Sequence, residues 1–124
     1  MIHTSSAPSA LAPYSQGMAG AGLVYTSGQI GLAPATGTLV EGGVASEALQ
    51  ALRNVAAILD AAGSGMDRVL KTTVFLVDMA DYPTMNEAYR AAFPEPFPAR
   101  TTVVVSALPA GAHIEIEAVA VANG

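Results

Sequence analysis

Two stretches in the last third of the chain alternate apolar and polar positions with the period of β-strands. Segments 97–106 and 113–121 are rich in β-branched residues, and their polar residues fall at strand spacing. Side chains two residues apart on a strand point the same way, so Glu115 and Glu117 share one face. Arg100 stands at the start of the preceding strand. The pattern predicts an apolar sheet that carries one cation and two carboxylates.

Glycine and proline divide the first forty residues into short extended pieces. Segment 23–27 is a predicted strand. The preceding segment, 17–22, contains three glycines but leads into a strand, whereas a phosphate-binding loop opens a helix. We therefore predict a hairpin-like turn over 17–22. Segment 69–77 is rich in β-branched residues and predicts a further strand.

Two segments have a helical period instead. Over 43–62 the apolar residues recur at three- and four-residue steps, which predicts an amphipathic helix ended by Gly63. Its apolar stripe comprises Ala45, Ala48, Leu49, Leu52, Ala56 and Leu59. Its polar residues, predicted to form a solvated face, are Glu47, Gln50, Arg53 and Asp60.

A second helix is predicted to begin at Asp81, a good N-cap, and to end before Pro94. One side of it carries Tyr82, Met85, Tyr89, Ala92 and Phe93. Three alternating prolines then enforce an extended path into Arg100, because each fixes its own φ and biases its predecessor towards β.

The order of elements predicts an α+β fold in which two helices pack on one face of a mixed sheet. Residues 114, 116, 118 and 120 of the last strand suit the helix-facing side. Neighbouring strands are apolar on both faces, yet two helices can cover only one. We therefore expect another copy of the chain to cover the second face, which places Glu115 at a subunit interface. The whole chain, residues 1–124, is predicted to be one domain.

Composition narrows the choice of partners. The net charge of -5 without a basic cluster disfavours a nucleic-acid surface. No apolar run approaches the roughly 18 residues that cross a membrane. With no cysteine and two histidines, the chain is not expected to hold a metal. The N-terminus has neither the basic nor the apolar part of a secretory signal, so we expect a cytoplasmic protein that binds small molecules and copies of itself.

Taken singly, the polar residues also fit ordinary structural roles. Glu115 and Glu117 fit solvated strand positions, although a carboxylate at an apolar interface needs partners and, with a raised pKa, can activate water. Arg100 fits a surface salt bridge, but the rigid approach through prolines favours a fixed carboxylate clamp. Tyr14 and Ser27 fit a packed aromatic residue and a strand end.

Six short segments are informative in combination. They are APYSQ at 12–16, TSGQI at 26–30, KTTVFL at 71–76, MNEAY at 85–89, FPART at 97–101 and IEIEA at 114–118. Together, and in this order over nearly the whole chain, they resemble the reactive intermediate deaminase (RidA, YjgF-like) family. The resemblance implies a chorismate-mutase-like fold, assembled as a homotrimer with the second sheet face inward and with sites in the clefts between subunits.

The resemblance also implies an activity. Relatives hydrolyse enamines and imines such as 2-aminoacrylate and 2-iminobutanoate or 2-iminopropanoate to 2-oxo acids and ammonia, without a cofactor. By position, Arg100 would clamp the substrate carboxylate and Glu115 would orient or activate the attacking water. Tyr14 and Ser27 would hydrogen-bond substrate and water and assist proton transfer.

Three further residues complete the site that the resemblance implies. Gly28, Asn86 and Thr102 would line the substrate in supporting roles. Thr102 departs from the family pattern, because many members carry cysteine there, so a thiol-dependent step is not available to this chain.

Two other functions stay open on the sequence. A ligand-binding or regulatory trimer that recognises 2-oxo or amino acids without turnover would need Arg100 but not Glu115. The ribonuclease or translation-inhibitor activity reported for relatives is disfavoured by the acidic composition.

Overall fold

A five-stranded sheet with the strand order β1-β2-β5-β3-β4 forms the centre of the protein in the computed structural model, which describes residues 1–122. Its strands are β1 (Gly17–Gly20), β2 (Leu23–Thr26), β3 (Val69–Leu76), β4 (Ala99–Val104) and β5 (Ile114–Val121). Neighbouring strands are antiparallel except β3 and β4. The predicted mixed sheet is therefore confirmed. The last two residues of the predicted domain, 123 and 124, lie outside the described range.

Two helices, α1 (Gly43–Ala61) and α2 (Tyr82–Ala92), cross over between parallel strands. α1 joins β2 to β3, which flank β5, and α2 joins β3 to its neighbour β4. Both helices contribute to one apolar core with the same side of the sheet. The predicted α+β arrangement, with two helices on one sheet face, is confirmed. Within residues 1–122, neither helix is long and apolar enough to cross a membrane.

The alternation along β5 shows which sheet face the helices cover. Residues 114, 116, 118 and 120 are at most 2% exposed, as the period of two predicts. Glu115, Val119 and Val121 are half-buried and Glu117 is exposed. Tyr25 lies opposite Val119 in the ladder, so the uncovered face also carries exposed apolar surface. One face of the sheet is thus buried in the core beneath the helices, and the other is not covered by residues 1–122.

The predicted faces of α1 are wrong in part. Ala45 and Leu49 are exposed, whereas the buried positions are Glu47, Ala48, Ala51, Leu52, Asn54, Val55, Ile58 and Leu59. Glu47, assigned to the solvated face, is only 1% exposed, while Arg53 and Asp60 are exposed as predicted. The buried sector is wider than the apolar stripe because loops cover the flank of the helix that the sheet does not reach.

Chain reversals follow the predicted signals with two differences. Segment 17–22 is more than a turn, because its first four residues form β1 and only Ala21 and Gly22, both with positive φ, make the hairpin loop. Asp81 occupies the N-cap of α2 but its side chain makes no capping bond. Gly63, with φ of 74°, follows the end of α1 as predicted.

Candidate functional site

Glu115 lies on the sheet face that the helices leave open. It lines a cavity of about 160 Å³ whose other walls include Tyr14, Gly28, Gln29 and Pro109. The backbone of Gln29 exchanges two hydrogen bonds with Ile116, of 2.8 and 2.9 Å, which fixes the wall beside β5. The predicted residues Tyr14, Gly28 and Glu115 are thus brought together.

Gly28 is in direct contact with the Glu115 side chain. A Cβ added to Gly28 would lie 2.7 Å from Cδ and 2.9 Å from Oε2 of Glu115. Those separations are too short for real carbon contacts, so a side chain here would displace the carboxylate. Glycine is needed at 28 for close approach, not for an unusual backbone conformation.

The surroundings of Glu115 favour its protonated form. Burial raises the pKa of the Glu115 carboxyl, and the negative charge of Glu117 on the same strand face adds to the effect. A carboxylate whose pKa is moved towards the working pH both accepts and returns protons efficiently. The cavity therefore holds a group suited to general acid-base chemistry.

The two early hydroxyls are placed differently. Tyr14 lines the Glu115 cavity and is 53% exposed, so its hydroxyl-bearing ring is accessible to a ligand. Ser27 lines a neighbouring shallow cleft, and its hydroxyl donates a 2.6 Å hydrogen bond to the carbonyl of Ser15. That bond ties the Tyr14 segment to the end of β2, next to Gly28. In this arrangement Ser27 holds the cavity wall together.

Arg100 lies on β4, under α2. Its Nη2 donates a 2.9 Å hydrogen bond to the hydroxyl of Tyr82, and its Nη1 lies 3.8 Å from Sδ of Met85. The guanidinium carbon is 4.9 Å from the ring centre of Tyr89 and 5.5 Å from that of Tyr82. Two aromatic rings hold the cation by cation–π contacts, which orient it without neutralising it.

A cleft of about 300 Å³ opens beside this cation. It is lined by Asn86, Tyr89, Arg90, Phe97, Pro98 and Arg100. Within residues 1–122 the only salt bridge joins Glu47 and His113, so Arg100 has no carboxylate partner there. The surface salt bridge considered for Arg100 is absent from this part of the chain. An arginine held by rings and lacking an anion is suited to bind a carboxylate ligand.

Thr102 lies two residues beyond Arg100 on the same strand face. Its hydroxyl oxygen is buried and has no hydrogen-bond partner within residues 1–122. Buried polar atoms are nearly always paired, so an unpaired hydroxyl calls for an explanation. Thr102 is not among the residues that line the cleft beside Arg100.

Arg100 and Glu115 lie on opposite faces of the sheet. Glu115 pairs with Phe75 on β3, whereas Arg100 pairs with Thr72, three positions earlier. Side chains alternate along a strand, so an odd separation places the two on different sides. Both residues lie on one sheet, as the sequence predicts, but a single chain does not bring them together.

The tyrosines around Arg100 were not recognised as site residues from the sequence. Tyr82 and Tyr89 were assigned to the apolar side of α2, and Tyr89 is indeed 4% exposed. Its hydroxyl shares a 2.7 Å hydrogen bond with Thr72, and burial raises its pKa. The available signal was the spacing of two aromatic residues on one helix face ahead of a proline-constrained arginine.

Known proteins that resemble this chain cover it almost completely. The family model described as Endoribonuclease L-PSP matches residues 4–122. The human protein named 2-iminobutanoate/2-iminopropanoate deaminase is 52% identical over 121 residues, which is 98% of this chain and 88% of the human protein. Two solved structures are also similar to this chain over almost its whole length.

The crystal structure of RidA from the Antarctic bacterium Psychrobacter sp. PAMC 21119 is 42% identical, with a TM-score of 0.94 over 97% of each chain. The crystal structure of E. coli TdcF with bound serine is 41% identical, with a TM-score of 0.94 over 99% of this chain and 98% of that one. The fold, the matched family model and the human relative agree with one another. This chain belongs to the reactive intermediate deaminase (RidA, YjgF-like) family.

Proposed function

We propose that the chain is an imine deaminase that hydrolyses 2-iminobutanoate, 2-iminopropanoate and enamine precursors such as 2-aminoacrylate. The products are 2-oxo acids and ammonia. The observation that carries the proposal is Glu115, a half-buried carboxylate of raised pKa that packs on Gly28 in an open cavity. The name of the human relative supports the same activity.

The chemistry is complete with water as the only co-reactant. The enamine first tautomerises to an imine, whose carbon is electrophilic. Glu115 accepts a proton from water as the oxygen bonds to that carbon and the C=N electron pair moves to nitrogen, which takes up a proton. The nitrogen of the resulting carbinolamine then takes up the proton that Glu115 holds, and the C–N bond breaks with its electron pair going to nitrogen. Ammonia leaves as the O–H proton passes to the Glu115 carboxylate and the C=O bond forms. Orientation and proton transfer at Glu115 and Tyr14 are then the main contributions of the protein.

Arg100 is proposed to bind the substrate carboxylate, with Asn86 and Thr102 beside it. Two charge-assisted hydrogen bonds of about 1.5–3 kcal/mol each would hold a small acid that buries little apolar surface. The rings of Tyr82 and Tyr89 fix the guanidinium in advance, which lowers the entropy lost on binding. The relative TdcF was solved with bound serine, which is also a small molecule with a carboxylate.

We propose further that the chain, as one domain, forms a homotrimer of the chorismate-mutase-like type with its open sheet face inward. In that assembly Arg100 of one subunit would meet Glu115 of the next. The opposite-face placement of the two residues supports a site shared between chains, as does the exposed apolar surface at Tyr25 and Val103. The acidic composition keeps nucleic acid and anionic membrane surfaces as disfavoured partners, and the cytoplasm is the proposed compartment.

An amino-acid oxidase reaction that generates 2-imino acids tests the activity. Added protein should speed ammonia release and lower the amount of imine trapped by semicarbazide. Arg100→Ala should lower this acceleration more than about a hundredfold, since it removes two charged hydrogen bonds. Arg53→Ala, which removes an exposed arginine on α1, is the matched control and should retain it.

Two outcomes would contradict the proposal. No acceleration by the unaltered protein would reject the deaminase, and an unchanged rate in Arg100→Ala would reject the clamp. Tight binding of a 2-oxo acid that survives Glu115→Ala, together with no turnover in the unaltered protein, would favour the regulatory trimer instead.

A further inference from the structure

Glu47 is a buried charged residue that the proposed reaction does not use. It lies on α1 and is 1% exposed. Its Oε1 accepts a 2.7 Å hydrogen bond from the backbone N–H of His113, and its Oε2 lies 2.5 Å from Nδ1 of the same residue. Burying a carboxylate is costly unless it is paired, and His113 supplies both partners. The contact ties α1 to the residue just before β5, two positions from Glu115.

Glu47 also touches the opposite wall of the Glu115 cavity. A Cβ on Gly31 would lie 2.7 Å from Cα and 2.9 Å from the carbonyl oxygen of Glu47, so this loop rests on the helix backbone. Two turns further along α1, buried Asn54 donates hydrogen bonds of 3.1 and 3.0 Å to the carbonyls of Ile30 and Leu32. The polar side of α1 therefore holds the loop on both sides of Gly31.

The loop around Gly31 and the turn before His113, both of which α1 contacts, are walls of the Glu115 cavity. Gly28, Gln29, Ile30 and Leu32 come from one loop, and Pro109 and Ala110 come from the turn that leads to His113. Glu47 contacts both loops, one through its side chain and the other through its backbone. Glu47 therefore lies between the two walls and beside the residue at which β5 begins.

We propose that Glu47 is a positioning residue for Glu115: by bonding His113 and supporting the loop at Gly31, it sets the geometry of the cavity in which Glu115 acts. This inference rests on the proposed deaminase function. Glu47 touches neither Arg100 nor the cleft beside it. Its removal should therefore disturb the chemical step and leave binding of the substrate carboxylate intact.

Steady-state kinetics of Glu47→Ala separate this role from general support of the fold. At a temperature where the variant is fully folded, kcat should fall at least about tenfold, because small misplacements of a reacting group are costly. KM should stay within about twofold, because the clamp is elsewhere. Glu47→Gln keeps an oxygen for the His113 N–H and should restore most of kcat. Asp60→Ala removes an exposed carboxylate of the same helix and should change neither constant.

Amide hydrogen exchange gives a second readout that needs no enzymatic activity. Glu47→Ala should speed exchange in segment 109–113, which the carboxylate holds through His113, and leave segment 28–32 unchanged because that loop rests on the helix backbone. Asp60→Ala should speed neither. An unaltered protein that lacks deaminase activity would reject the proposed function, yet the exchange result would still show whether the Glu47 side chain holds the turn that leads to β5.

The inference is overturned if folded Glu47→Ala keeps its kcat within about twofold, or if its effect falls on KM alone. Unchanged exchange in segment 109–113 of folded Glu47→Ala would overturn it as well. If Glu47→Ala does not fold, Glu47→Asp replaces it. This shorter side chain keeps the charge but withdraws the oxygens from His113, so the same loss of kcat and the same faster exchange are required of it.

Discussion

The Glu115 cavity and the Arg100 cleft are complementary and lie on opposite sides of one sheet. The cavity on the open face holds a carboxylate of raised pKa and no cation among its lining residues. The cleft on the helix side holds two arginines and no carboxylate among its lining residues. Each region carries the charge that the other lacks. We propose that the two regions are halves of one site, which a second chain would join.

The two halves are also built by different physical means. Arg100 is fixed by stacking on Tyr82 and Tyr89, which orient a cation at little cost because a guanidinium is weakly hydrated. Glu115 is instead placed by close packing on Gly28 in surroundings that disfavour its charge. The first arrangement suits binding of an anion and the second suits transfer of protons. Variants in the two halves should therefore change different kinetic constants.

Glu115→Gln should have the largest effect in the carboxylate half. Loss of the general base should lower kcat at least about a hundredfold, with KM nearly unchanged. Steady-state ammonia release from 2-imino acids measures both constants. Arg100→Ala should instead raise KM more than it lowers kcat. A variant of Glu115 that altered KM alone would remove the distinction between the halves.

Glu115→Gln should also stabilise the fold near neutral pH. The folded-state pKa of Glu115 is raised above its unfolded value, so the group contributes stability below its unfolded pKa. That contribution is lost as the pH rises through the folded pKa, which leaves a charged group in unfavourable surroundings. Thermal unfolding at pH 7 should thus show a higher midpoint for Glu115→Gln. A lower midpoint would mean that the charge is well compensated.

Gly28→Ala should have an intermediate effect on activity. The three atoms nearest to the added methyl group all belong to the Glu115 side chain, so the carboxylate should move while the backbone stays. We expect kcat to fall about tenfold, as for other small misplacements of a reacting group. Thermal unfolding should be nearly unchanged.

Gly20→Ala provides the control for this substitution. A Cβ at Gly20 meets no atom within 4 Å, so neither kcat nor stability should change. If Gly28→Ala were as active as Gly20→Ala, close packing on Glu115 would not matter for the reaction.

Glu117→Gln should have the smallest effect, confined to the pH dependence. Removing the neighbouring negative charge should lower the pKa of Glu115, so the base would stay ionised to more acidic pH. The acid limb of the kcat profile should move down by less than about one pH unit, because an exposed charge is partly screened by salt. An upward shift would contradict the assigned cause of the raised pKa.

The sequence was sufficient where structure follows from a local period. Alternation along 114–121 correctly predicted which face of β5 the helices cover, because the period of two is a property of the strand itself. Gly63 could likewise be placed at a helix end from a local signal.

The relation between distant elements could not be predicted in the same way. The faces of Arg100 and Glu115 depend on how β4 and β5 register with the intervening β3, and nothing local in either strand sets that offset. Glu47 was placed in solvent because its burial comes from loops that are remote in sequence. Tertiary packing determines both the relative faces of Arg100 and Glu115 and the burial of Glu47.

In the proposed trimer, each site combines Arg100 of one subunit with Glu115 of another. Arg100→Ala and Glu115→Gln chains should each be nearly inactive alone. Refolded together at equal amounts, they should recover about one quarter of the unaltered activity, because random mixing in a closed trimer joins two intact halves at one site in four. A mixture no more active than its parents, although native mass measurement shows mixed trimers, would contradict the claim.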